Sequence, residues 1–67
     1  MSNVVTERGE ALADWVVAQQ AAKVRLTIGR VQGQINTRWP GLDREAMESI
    51  YDACSAILAA RQFDAAA

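Results

Sequence analysis

Thr37-Arg38-Trp39-Pro40-Gly41-Leu42-Asp43 holds the chain's only proline and its only Pro-Gly pair. Proline drives the residue before it, Trp39, out of the helical region, and Gly41 permits a tight turn. Asp43 then reads as the N-cap of a new helix. Elsewhere thirteen alanines and few β-branched runs favour helix. The expected fold is all-α. A long helix runs over about residues 7–36, a turn over 37–43 and a shorter helix over about 44–62. Residues 1–6 read as a loose lead and 63–67 as a fraying tail. A short connection makes two helices antiparallel neighbours. The chain, residues 1–67, is therefore expected to be a single helix–turn–helix hairpin domain.

Upstream of the turn, Thr6 reads as an N-cap, with Glu7, Glu10 and Asp14 suiting a helix start. Gly9 is a weak position that would let the helix begin a turn later. No proline then interrupts as far as Asn36. A helix of about thirty residues spans roughly 45 Å, against roughly 28 Å for the second.

The faces of the two helices differ. The second has one apolar stripe: Ala46, Met47, Ile50, Ala53, Cys54, Ile57 and Leu58. Tyr51 borders it, and Glu45, Glu48, Asp52 and Ser55 lie opposite. The first helix has two stripes on nearly opposite sides. One is Val17, Ala21, Val24, Ile28, Val31 and Ile35; the other is Leu12, Trp15, Gln19, Ala22, Leu26, Gly29 and Gly33. A helix apolar on two sides wants covering on two sides. The second helix, folded back, covers one of them and reaches only to about residue 17. The expectation is that the Val17–Ile35 stripe faces the second helix, with Ile28 in the core. The Leu12–Gly33 stripe then faces another protein, though the two stripes can exchange roles. Trp39 either caps the hairpin core or anchors the interface, since tryptophan is enriched among interface hot spots.

Composition points the same way. A chain this small is marginal as a monomer and usually needs a disulfide, a metal or an oligomer. Cys54 is the only cysteine and histidine is absent, so neither an internal disulfide nor a zinc site is expected. That leaves a dimeric four-helix bundle, or docking on a larger protein. The net charge of −1 steers the chain to neither nucleic acid nor anionic lipid. No stretch approaches the ~18 apolar residues of a membrane span, and a single cysteine suits a reducing cytoplasm. Six arginines to one lysine, with many alanines, suggest a GC-rich bacterial or phage genome.

No catalytic, cofactor or metal set emerges. Cys54 lies mid-stripe without a cationic neighbour at helical spacing, as a small buried hydrophobe does. The acidic residues Glu7, Glu10, Asp14, Glu45, Glu48 and Asp52 fall on solvent-facing sides. Lys23 and Arg30, with Gln20, Thr27 and Gln34, form a polar strip that a nucleic-acid-binding regulator would use. It lacks the clustered cations and interleaved aromatics of such a face. Gly29-Arg30-Val31-Gln32-Gly33 has the small-xxx-small spacing that lets helix backbones approach closely, or else marks a hinge.

Trp39-Pro40-Gly41 between two helices, followed by Glu45-Ala46-Met47, resembles the Trp-Xaa-Gly turn of the small helical hairpins exported by type VII secretion systems. That resemblance implies an antiparallel four-helix dimer exported as a folded pair. The chain departs from that family in its shorter length and in its tail, where Tyr51 is followed four residues later by Ser55 rather than an acid. The reading from the residues is a non-catalytic protein–protein interaction module: an adaptor, an inhibitor or a small assembly subunit. Its expected interface is Leu12, Trp15, Gln19, Ala22, Leu26, Gly29, Gly33 and Trp39.

Overall fold

A computed structural model of the chain describes residues 3–66, with side-chain surroundings over residues 3–61. The described residues form three helices and no strand: α1 (Val4–Ala21), α2 (Ile28–Arg38) and α3 (Arg44–Ala66). The chain is all-α, and the break at Pro40-Gly41 falls between α2 and α3. The expected long helix over 7–36 is instead two helices, so the two-helix hairpin becomes a three-helix arrangement.

α1 starts earlier than expected. Asn3, not Thr6, is its N-cap: the Thr6 N–H donates to Asn3 Oδ1 at 3.2 Å and the Glu7 N–H to the Asn3 carbonyl at 3.0 Å. The expected lead is therefore helical from Val4, and its first two residues lie outside the described ones. At the far end, the Lys23 N–H donates to the Gln20 carbonyl and the Val24 N–H to the Gln19 carbonyl, each at 3.0 Å. This is a Schellman closure, with Lys23 left-handed at φ 59°. Glycine usually takes that position, because a side chain there costs about 1 kcal/mol. Thr27 then caps α2, its Oγ1 accepting from the Arg30 N–H at 3.2 Å.

The break brings distant apolar residues together. Leu12, Ala13 and Val16 of α1, Val31 and Ile35 of α2, and Ile50 and Cys54 of α3 form one buried cluster. In an unbroken helix Leu12 and Ile35 would stand roughly 35 Å apart. Both are fully buried here in the same core. Each expected stripe contributes to that core, so the division into one inner and one outer stripe does not hold.

α1 packs chiefly on α3, and the two run in the same sense. Gly9 meets Ala53 and Cys54, and further along Asp14 Oδ1 pairs with Arg61 Nη2 at 2.9 Å. The turn after α2 is fastened to α1. Arg38 Nη1 donates to the Ala11 carbonyl at 3.4 Å, and the Arg8 guanidinium lies 5.4 Å from the centre of the Trp39 ring. Gly41 takes φ +84°, which the turn requires. Asp43 caps α3 as expected, accepting from the Ala46 N–H at 2.8 Å. α3 continues to Ala66, so the expected tail is helical over 63–66 and only Ala67 lies outside the described residues.

Candidate functional site

A groove of about 480 Å³ lies between α2 and the first half of α3. Thr27 starts α2 so that Ile28 and Gln32, four residues apart, share one side of the helix and line the groove. From α3 come Met47 and Tyr51, again four apart, and the charged residues Arg44, Glu48 and Asp52. Ile28 is 63% exposed at this groove, the most exposed of the large apolar side chains described. Met47 and Tyr51 are half-buried, with one side against the core cluster. Arg44 Nε and Glu48 Oε1 pair at 3.3 Å on the rim, both largely in solvent. Such an exposed pair adds little stability and mainly sets the charge pattern.

The expected interface residues do not form one surface. Leu12 is fully buried within the chain's own core. Trp15, Leu26 and Trp39 are half-buried and pack against that core. The Gln19 carbonyl accepts from the Val24 N–H in the closure of α1, and Ala22 is the exposed C-cap. Gly29 and Gly33 are exposed on α2. Among the described residues, a Cβ at Gly29 would meet only Thr27 Oγ1, at 3.9 Å, and one at Gly33 nothing within 4 Å. The close backbone approach expected there occurs at Gly9 instead. A Cβ at Gly9 would lie 2.8 Å from Ala53 Cβ and 3.2 Å from the Ala53 and Cys54 backbone.

Val17 and Ile28, both expected on the core-facing stripe, are exposed, at 45% and 63%. The spacing of Ile28 with Val24, Val31 and Ile35 assigned it to a core stripe, but it is the first residue of α2 and borders the groove instead of the core. The available signal was Thr27, a capping residue directly before it.

The charges along the chain are segregated. Residues 15–42 carry Lys23, Arg25, Arg30 and Arg38 and no acid. Residues 43–52 carry Asp43, Glu45, Glu48 and Asp52 against Arg44 alone. Among the described residues, the ion pairs are Arg44–Glu48 and Arg61–Asp14, so Lys23, Arg25 and Arg30 have no acidic partner there.

Cys54 sits in the core. Burial pushes its thiol pKa up, partly opposed by the Arg61 guanidinium. A thiol kept protonated is a poor nucleophile. Among the described residues, no three of the His, Cys, Asp and Glu type converge as metal ligands, and no helix is long and apolar enough to cross a membrane. No protein-family model matches the chain, and neither a curated protein nor a solved structure matches it.

Proposed function

We propose that the chain is a non-catalytic protein–protein interaction module whose contact surface is the α2–α3 groove, not a face of α1. The observation that supports this is Ile28, 63% exposed beside the half-covered Met47 and Tyr51. A lone exposed apolar side chain needs no explanation. One that shares a groove with two more, under a charged rim, has the make-up of a docking site. The module acts by occlusion or scaffolding, as an adaptor, inhibitor or small assembly subunit. Its thiol, held in the core, suits a reducing cytoplasm.

Photo-crosslinking tests this in the cells that make the protein. A benzophenone side chain replaces Ile28 in one variant and the exposed Glu10 of α1 in another. The expected result is a discrete protein adduct from position 28 and none from position 10. A variant at 28 that accumulates normally and gives no adduct would overturn the reading.

A further inference from the structure

We infer that the occupant of the groove is a second copy of this chain, docked about a two-fold axis with α2 of each protomer against α3 of the other. The inference rests on the interaction-module reading and names its partner.

Charge complementarity selects that partner. The groove's acids, Glu48 and Asp52, stand on α3, and only Glu48 has a cation paired to it among the described residues. The matching cation is Arg25, exposed in the segment just before α2 and three residues from Ile28. In a two-fold pair each protomer presents both halves, so every contact occurs twice. Ile28 of one copy enters the other's groove, and its Arg25 meets the other's carboxylates.

The glycines support the same geometry. Each helical glycine costs about 1 kcal/mol relative to alanine. Among the described residues a Cβ at Gly33 would meet nothing within 4 Å and one at Gly29 only Thr27 Oγ1, so intramolecular packing does not account for them. Both lie on the exposed side of α2 that a second copy would cover, where a flat surface admits a close helix.

The acids of α3 also weigh against nucleic acid as the ligand of Arg25, because a phosphate backbone at the groove would meet Glu48 and Asp52.

Sedimentation of the purified chain over a concentration series tests the inference, at low and at high salt. The wild type should show a monomer–dimer equilibrium that weakens with added salt, because rim charges are screened. Ile28→Asp, and separately Arg25→Glu, should keep the helical circular dichroism of the wild type and weaken the dimer by at least ~10-fold, the change expected from losing a central contact or inverting its rim. The reciprocal pair Glu48→Arg with Asp52→Arg should do the same alone. Mixing the two charge-inverted chains should restore a dimer containing one of each. That recovery excludes simple misfolding as the cause of the losses.

A folded wild type that stays monomeric at roughly 300 µM, well above the Kd of useful self-association, would overturn the inference. So would charge-inverted chains that fail to pair with each other. If that monomer instead binds duplex DNA and Arg25→Glu abolishes the binding, the cations serve nucleic acid and the inference falls with it. If the monomer gives a position-28 adduct to a different protein, only the self-pairing fails and the interaction module stands. If it gives no adduct, both fail.

Discussion

Two of the helix–helix contacts of this chain make opposite uses of glycine. At the α1–α3 crossing, Gly9 lets the backbones of residues 9 and 53 approach until a Cβ would sit at 2.8 Å. On α2, a Cβ at Gly29 or Gly33 would have open space, and the helix is held by Val31 and Ile35, while Ile28, at its first position, stands clear of the core. The first contact is closed and makes the core. The second leaves a groove. A glycine in a helix therefore means little until it is known what approaches it.

The core around the closed contact should be where substitutions cost most. Leu12 is fully buried, and Leu12→Ala should destabilise the chain by about 3 kcal/mol, within the usual range for such truncations. A domain of this length has only roughly 3–10 kcal/mol in total. Urea unfolding should show a large fall in midpoint, with much of the variant unfolded at ambient temperature. A midpoint close to wild type would mean that Leu12 is not part of a shared core.

Gly9→Ala should come next. Alanine favours the helix by about 1 kcal/mol. Here its methyl would meet Ala53 Cβ and two backbone atoms, none of which can swing aside. The helices must separate, and overpacking of this kind costs roughly 1–3 kcal/mol. We expect net destabilisation of about 1 kcal/mol by urea unfolding. Ala53→Gly in the same chain removes one of the three close contacts but adds a helical glycine costing about 1 kcal/mol, so the double variant should lose less than the sum of the two single losses. A variant more stable than wild type would break the comparison with α2.

How much of this was legible in the sequence follows from the chemistry of each break. Pro40-Gly41 announces itself, because proline restricts Trp39 and the turn needs a positive φ at Gly41. Asp43 is a cap by residue type. The break at 22–27 carries no such mark, because its left-handed residue is Lys23 rather than a glycine or an asparagine. What stabilises it is tertiary: only a broken helix lets Leu12 and Ile35 share one core. The sequence did show the tension, as a helix apolar on two sides. The chain relieves part of it by folding that helix on itself, which buries Leu12 and half-buries Trp15 and Leu26. What is left over is Val17 and Ile28, which periodicity had placed inside. Met47 was visible as apolar and Tyr51 as a border residue. Their sharing a groove with Ile28 depends on the unmarked break.

Gly33→Ala tests the open side of the comparison with the opposite sign. With nothing within 4 Å of the new methyl, only helix propensity and chain entropy change. The variant should be more stable by about 0.5–1 kcal/mol when melted dilute and in high salt, where self-association is weak. A loss under those conditions would show that an unrecognised contact covers α2 within the single chain.

Cys54 gives a pH-dependent term. Its folded pKa is raised by burial, and for a group that is neutral when protonated this favours the native state while the unfolded thiol is also protonated. That contribution is complete below the ordinary thiol range. It is lost as pH rises from there through the folded value, because the unfolded chain ionises first. The urea midpoint of the wild type should fall across this alkaline window more steeply than that of Cys54→Ala. Parallel curves would mean that the thiol is not desolvated in the native state.

Ile28→Asp should have the smallest effect on the stability of the single chain. Read from periodicity alone, the substitution places a charge in the core and unfolds the protein. In the structure the side chain is 63% exposed at the first position of α2, where a carboxylate also suits the helix dipole. Circular dichroism and the urea midpoint of the dilute variant should stay within about 0.5 kcal/mol of wild type, as for other exposed positions. Global unfolding would return Ile28 to the core and remove the groove. A folded variant separates the two contacts cleanly, since a charge tolerated beside Met47 and Tyr51 would not be tolerated beside Leu12 and Ile35, where it would be buried without a partner.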